Sequence, residues 1–123
     1  MQTKIDIEDK LIDCINCITG KTEQVSFKGG KVMVINEMGI KENNLPFIGP
    51  GLTDLQINGI NGIDFNTNTL TKEDVVNATH YLLSQGVTTF LPTVITNSDE
   101  NILKIVHTIY EACRSNSLVD ECV

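Results

Sequence analysis

The first third of the chain alternates short apolar runs with polar residues and turn residues. Residues 11–18 are β-prone, residues 24–28 alternate polar with apolar, and residues 32–35 are apolar. Between these runs, residues 19–21 predict a turn and Gly29-Gly30 predicts a tight hairpin. The pattern therefore predicts a three-stranded β-meander. Such a sheet buries little by itself and leaves unpaired edges, so we expect it to pack on other structure.

The periodicity changes in the second part of the chain. Residues 52–57 and 87–91 are predicted strands, and between them lie a Gly/Asn-rich loop at 59–68 and a helix at 71–85. A second helix is predicted to begin at residue 97 or 98. The second strand is almost entirely apolar, which is typical of a parallel sheet covered on both faces. The order β-α-β-α after a meander predicts an α/β protein and looks like the opening of a larger fold.

Capping residues place the ends of the two predicted helices. Thr71 and Asp74 have the spacing of a capping box, and Gly86 stands where a left-handed residue stops a helix. Asp99 and Glu100 fall in the first turn of the second helix, where the helix dipole favours anions. Residues after the second helix receive no assignment. The predicted apolar stripes are Val75, Val76, Thr79, Leu82 and Leu83 in the first helix and Ile102, Ile105, Val106, Ile109 and Cys113 in the second.

A cluster of proline and glycine separates these two parts. We assign residues 1–48 to a partial N-terminal domain and residues 49–123 to the two strand–helix units. Clusters of this kind end one element and begin the next. The boundary consists of the polar residues 41–44 followed by Pro46, Gly49, Pro50 and Gly51.

Composition and charge exclude several classes of partner. The 123 residues carry a formal net charge of -7, and their nine Lys and Arg residues are scattered, so we expect no nucleic-acid partner. The first ten residues are too charged for a signal peptide, and no apolar run is long enough for a membrane helix. We therefore expect a cytoplasmic protein with no membrane partner.

The four cysteines allow a zinc, redox or structural interpretation. Cys14 and Cys17 have Cys-x-x-Cys spacing, but Cys113 and Cys122 are separated by eight residues, which fits no usual zinc ribbon. Positions three apart in a strand also face opposite sides. We expect ordinary reduced cysteines.

Three polar side chains stand at alternate positions of the first strand after the boundary. Asp54, Gln56 and Asn58 would share one face by the strand period of two. A buried amide without a partner costs roughly 1–3 kcal/mol, so this face should line a polar site or a satisfied network. A plain solvent-facing strand would show the same alternation. The following loop, with Gly59 and Gly62, favours a site, because loops after the strand ends build the active site of βα-barrels.

Three segments carry a family resemblance. They are Pro50-Gly-Leu-Thr-Asp-Leu-Gln-Ile-Asn-Gly59, Gly62-Ile-Asp-Phe-Asn66 and Gly86-Val-Thr-Thr-Phe-Leu-Pro-Thr-Val-Ile-Thr96. Together they resemble the N-acetylglucosamine-6-phosphate deacetylase family of the amidohydrolase superfamily, and residues 18–21 resemble it more loosely. The resemblance implies the start of a (β/α)₈ TIM-type barrel, its first two βα units, preceded by part of a small β-sandwich domain.

The resemblance also implies where the chemistry lies. In the wider superfamily the first barrel strand offers His-x-His to metals, whereas Gln56 and Asn58 stand at those positions here. Carboxamides are much weaker ligands for transition metals than imidazole. We therefore expect one divalent ion, zinc or similar, held by a later His-x-Glu-Gly-Pro segment and later histidines. No catalytic residue and no metal ligand is expected in this chain.

The expected site residues fall into two groups. We expect Gln56, Asn58, Gly59 and Thr93 to line the active site, although a local loop hydrogen bond is the stronger alternative for Thr93. A structural hydrogen-bonding role is expected for Asp54, and Gly62 is expected to be structural beside the site. His80 and His107 are expected on the outer surface of barrel helices, away from the chemistry.

The implied activity is removal of the acetyl group from an amino sugar phosphate, N-acetylglucosamine 6-phosphate. The resemblance also allows a homodimer for the full-length protein. Because a whole barrel needs about 250 residues, we expect this chain to be a truncated or excised piece that is inactive by itself. Two alternatives remain: an amidohydrolase that cleaves cyclic amides or other N-acyl groups, and a non-catalytic relative.

Overall fold

A computed structural model describes residues 9–39 and 44–123. Residues 41–43, part of the predicted boundary, lie outside the described residues. The chain divides into two compact units, residues 1–50 and residues 51–123. Among the described residues, no helix is long and apolar enough to span a membrane.

The first unit contains the predicted meander and one further strand. The strands pair in the order β3-β2-β1-β4, with β1–β2 and β2–β3 antiparallel and β1–β4 parallel. Gly29 and Gly30 join β2 to β3 with φ of 55° and 78°, the left-handed geometry of a tight hairpin. The prediction missed β4, a two-residue strand. The bounds are β1 Lys10–Asn16, β2 Thr22–Lys28, β3 Lys31–Glu37 and β4 Phe47–Ile48.

The second unit is the predicted strand–helix–strand–helix with two additions, a hairpin and a helix. Strands β5 and β8 pair in parallel, as predicted. A small antiparallel hairpin, β6–β7, occupies the stretch predicted as loop, and a short third helix follows α2. The bounds are β5 Leu52–Ile57, β6 Gly59–Ile60, β7 Ile63–Asp64, α1 Lys72–Ser84, β8 Val87–Pro92, α2 Asp99–Ser115 and α3 Ser117–Cys122.

Local side chains determine the ends of the helices. The Thr71 hydroxyl accepts from the Asp74 backbone N–H at 3.2 Å, and the Asp74 carboxylate accepts from the Thr71 N–H at 2.9 Å. This capping box confirms the predicted start of α1. Gly86, with φ of 84°, follows the end of α1, and Ser98 caps α2. The predicted starts of both helices and the predicted stop of α1 are therefore confirmed.

The core of the second unit lies between the β5–β8 sheet and the helices. Phe65 and Phe90 are fully buried and stack with their ring centroids 6.3 Å apart. The predicted stripe of α1 is confirmed for Val75, Thr79 and Leu82, but Val106 of α2 is 49% exposed, so that assignment was wrong. The buried apolar cluster is Ile57, Phe65, Leu70, Val75, Ala78, Leu82, Phe90, Ile105, Ala112, Val119 and Cys122.

All four cysteines are free thiols. Cys14 is buried and Cys17 is exposed, which fits positions three apart in and just after a strand. Burial raises the pKa of the Cys14, Cys113 and Cys122 thiols above the usual value. Thiols with raised pKa values are poor nucleophiles at neutral pH, so these three side chains are packing residues.

Candidate active site

The two parallel strands of the second unit end at the same edge. The Leu52 N–H donates to the Gly86 carbonyl at 2.9 Å at the start of the pair, and the Thr93 N–H donates to the Ile57 carbonyl at 2.8 Å at its end. Parallel pairing therefore brings the residues after β5 and the residues after β8 together. In α/β folds, this carboxyl edge is where loops form ligand sites.

Strand β5 contains an irregularity just before this edge. Asp54 pairs with Phe90 and Ile57 pairs with Pro92, so three steps along β5 match two steps along β8. An extra residue in one strand interrupts the alternation of side chains. The prediction that Asp54 shares one face with Gln56 and Asn58 is therefore wrong, since Asp54 lies beside the buried Phe90.

The carboxylate of Asp54 has a structural partner within the irregular segment. Its Oδ1 accepts from the Gln56 backbone N–H at 3.0 Å. The extra residue leaves this N–H out of the regular ladder, and the carboxylate satisfies it. This local bond is of the kind expected for a structural role of Asp54.

The two carboxamides flank Ile57, the buried residue at the end of β5. Ile57 is 7% exposed and belongs to the core, whereas the neighbouring Gln56 and Asn58 are both exposed. Each carboxamide has two donors and an acceptor. In this chain they lie at the open strand edge, available to hydrogen-bond a polar ligand, and the residues described here do not enclose them.

A tight hairpin follows Asn58. Residues 60–63 form its turn, with Asn61 at φ 50° and Gly62 at φ 80°, the geometry that Asn-Gly favours. A β-carbon at Gly59 would collide with the Ile63 carbonyl oxygen, so glycine is required there by the returning strand. Gly59 and Gly62 are thus structural residues at the strand edge. The Asn-Gly pair is the sequence signal that could have predicted this hairpin.

Asn66 is a residue at this edge whose role the sequence did not predict. Its Nδ2 donates to the Thr93 carbonyl at 3.1 Å and to the Asn58 carbonyl at 3.4 Å, while its Oδ1 accepts from the Ile95 N–H at 2.7 Å. One side chain therefore joins the segment after β5 to the segment after β8. Its place in the second family-like segment was the only signal available.

The other predicted residues separate into edge and surface positions. The Thr93 hydroxyl donates to the Leu91 carbonyl at 3.3 Å, which is the local loop bond predicted as the alternative. Its backbone lies directly beside Ile57 at the strand edge. His80 on α1 and His107 on α2 are exposed, as expected for the outer side of the helices.

The described residues do not fit a metal ion. Among residues 9–39 and 44–123, no group of three or more His, Cys, Asp or Glu side chains lies close enough to hold one. The polar groups at the strand edge are carboxamides, which bind transition metals weakly. What the edge offers is neutral hydrogen-bond donors and acceptors.

Comparison with known proteins gives this edge a context. An N-acetylglucosamine-6-phosphate deacetylase of Caenorhabditis elegans is 33% identical over 82% of this chain. One from Haemophilus influenzae is 38% identical over 63% of the chain. This chain belongs to the N-acetylglucosamine-6-phosphate deacetylase family. No protein-family model matches it.

Solved structures of this deacetylase family share the fold of the chain. The enzyme from Pasteurella multocida covers 85% of the chain with a TM-score of 0.65 and 24% identity. The enzyme from Thermotoga maritima covers 88% with a TM-score of 0.70 and 23% identity. The chain spans 28% of the worm deacetylase, 19% of the Haemophilus enzyme, and 30% and 29% of the two solved chains. Its mixed α/β fold is thus that of the N-terminal region of these deacetylases.

Proposed function

We propose that this chain is the first part of a deacetylase, with residues 49–123 forming the first two βα units of a (β/α)₈ barrel. The parallel β5–β8 pair with one helix after each strand supports this assignment. The sheet that precedes it, antiparallel except for the β1–β4 pair, suits part of a small β-sandwich domain.

The proposed reaction of the complete protein is hydrolysis of the N-acetyl group of N-acetylglucosamine 6-phosphate. Water adds to the amide carbonyl, the C–N bond breaks, and acetate and glucosamine 6-phosphate leave. The observation that carries this proposal is the 33% identity to a named deacetylase, combined with two carboxamides at the carboxyl edge of a parallel strand pair.

In this proposal Gln56 and Asn58 form one wall of the substrate site. Both side chains are exposed at the strand edge and can donate and accept hydrogen bonds at once. Such groups suit the hydroxyl and acetamido groups of a sugar. They would orient the substrate and would not exchange protons, because carboxamides do not titrate in the physiological range.

The divalent ion expected for this family is proposed to bind residues outside this chain. The exposed positions of His80 and His107 on the helices, and the carboxamides at the edge, support that division. Metal analysis of the purified complete protein should find about one ion per chain. Replacing both Gln56 and Asn58 with alanine should leave the metal content per chain unchanged.

Acetate release tests the proposed reaction. The complete protein that the gene encodes should release acetate from N-acetylglucosamine 6-phosphate, measured by a coupled assay. Unphosphorylated N-acetylglucosamine and a cyclic amide such as dihydroorotate serve as comparison substrates. Hydrolysis of the cyclic amide alone would show that the protein is another amidohydrolase and not a deacetylase. A folded protein that is inactive on all three substrates would indicate a non-catalytic relative.

A further inference from the structure

One carboxamide holds the two strand ends of the candidate site together. After the bond from the Thr93 N–H to the Ile57 carbonyl, the two segments separate, one toward the β6–β7 hairpin and one toward α2. Beyond this point Asn66 spans the gap with bonds to Asn58 and Thr93 on its nitrogen and Ile95 on its oxygen. The amide orientation is fixed, because carbonyls need a donor and an N–H needs an acceptor.

The loop that carries Asn66 is itself held against the end of β5. The Phe65 N–H donates to the Asn58 carbonyl at 2.9 Å, and the Asn66 N–H donates to the Asp64 carboxylate at 2.8 Å. The Phe65 ring is fully buried against Phe90 of β8. Asn66 is thus presented from an anchored backbone, and its side chain has little freedom to satisfy these partners in another way.

We propose that Asn66 is a positioning residue that sets the distance between the carboxamide wall at Asn58 and the residues after β8 at Thr93. Asn66 itself touches no substrate in this proposal, which rests on the proposed function for its kinetic consequence. It acts by fixing the backbones that carry the lining side chains. A displacement of about 1 Å at a reacting centre can lower a rate about 100-fold, so this fixation matters for turnover.

The variant Asn66→Asp separates the donor function of the Asn66 side chain from its acceptor function. It keeps the size and the oxygen that accepts from Ile95, and it replaces the donor that faces the Thr93 and Asn58 carbonyls with a carboxylate oxygen. In the complete protein we expect kcat to fall about 10- to 100-fold while KM changes much less. Asn66→Ala, which removes donor and acceptor together without adding charge, should also lower kcat.

A matched control comes from the same loop. Asn68→Asp makes the same chemical change two residues away, at an exposed position. Among residues 9–39 and 44–123, the Asn68 side chain has no hydrogen-bond partner, and its backbone carbonyl accepts from Lys104 at 2.7 Å. This variant should keep wild-type kcat and KM. An equal loss of kcat in Asn68→Asp would assign the effect to charge and would overturn the positioning role.

The pH dependence provides a signature of the geometry. The new carboxyl would face two carbonyl oxygens, which disfavours its charged form and raises its pKa. Protonation restores one donor, so the ratio of Asn66→Asp kcat to wild-type kcat should rise as the pH falls. The ratio for Asn68→Asp should stay flat. A pH-independent ratio for Asn66→Asp would contradict the bond to the carbonyls.

Amide hydrogen exchange tests the positioning without any assay of activity. Asn66→Asp should speed exchange of the Thr93 and Phe65 amides, which bond the two strand ends, by at least about tenfold relative to wild type. Unchanged exchange of these two amides would contradict the positioning role, even if the protein is an active deacetylase. Faster exchange in a protein without deacetylase activity would keep the positioning role and remove the proposed function instead. If Asn66→Asp does not fold, the exchange and kinetics of Asn66→Ala decide in the same way.

Discussion

At the end of β5, the backbone restricts which residues the chain accepts. Gly59 lies where the returning β7 strand passes so closely that its Ile63 carbonyl fills the space of a β-carbon. Gly62, at φ 80°, has open space around it but needs a left-handed backbone. Glycine is therefore needed at position 59 because the returning strand passes so close, and at position 62 because the backbone is left-handed there.

This difference predicts two different mutational costs. Gly59→Ala should lower the free energy of unfolding by about 1–3 kcal/mol, because the methyl group forces the hairpin off β5. Gly62→Asn should cost less than about 1 kcal/mol, since asparagine tolerates the left-handed region. Urea denaturation of the two variants measures both. Equal costs would contradict the close approach at Gly59.

The sequence could predict the positions of single residues but not their mutual geometry. Gln56 and Asn58 were predicted at the end of a strand, and they lie there. The irregularity in β5 arises from its pairing with β8, where three steps along β5 match two along β8. No pattern within β5 itself therefore predicts that Asp54 faces away from Gln56 and Asn58. The bonds of Asn66 to Thr93 and Ile95 span 27 and 29 residues, and only the folded chain brings these groups together.

At the scale of elements, α1 has the best-defined start in the second unit. Hydrogen bonds from the Thr71 hydroxyl, then from its backbone, hold the pKa of Asp74 below its usual value of 3.8. A carboxylate in the first turn also interacts favourably with the helix dipole. The charged form of Asp74 is therefore favoured in the folded state relative to the unfolded state.

This pKa shift predicts the direction of a pH effect. A depressed folded pKa adds stability that is present above the unfolded pKa and is lost as the pH falls through the folded one. Asp74→Asn should lower the free energy of unfolding by about 0.3–1 kcal/mol at pH 7. That difference should begin to shrink as the pH falls below about 3.8 and should vanish once the pH is below the depressed pKa of folded Asp74. A difference that stays constant or grows as the pH is lowered would contradict the capping box.

The longer elements were predictable from their apolar period, whereas the short ones have no such period, and only the Asn61-Gly62 turn gives a local signal for β6 and β7. The strands β5 and β8 and the helices α1 and α2 have several periods of apolar residues or clear caps, and the predicted positions agree with the structure to within a few residues. Strands β4, β6 and β7 contain two residues each, too few to show an alternation of apolar and polar residues. The third helix is six residues long and packs Val119 and Cys122 into the core, so tertiary contacts stabilise it.

At the scale of the whole chain, apolar residues remain exposed on both units. On α2, Leu103 is 70%, Val106 49% and Tyr110 55% exposed, and on β5 Leu55 is 74% exposed. The proposed barrel accounts for these positions, because neighbouring barrel strands and helices would pack on them. The assignment of Val106 to the core stripe failed here because the sequence pattern does not specify which neighbour covers each face.

We propose that Gln56 and Asn58 form a wall of a deacetylase site. The most direct measurement is kcat/KM of the complete protein on N-acetylglucosamine 6-phosphate after the double change Gln56→Ala and Asn58→Ala. We predict a loss of about 100-fold or more, as for removal of donors that contact a reacting substrate. The matched double change Asn77→Ala and His80→Ala on the exposed face of α1 should alter it by less than about twofold. A kcat/KM of the carboxamide variant within a few-fold of wild type would contradict the account.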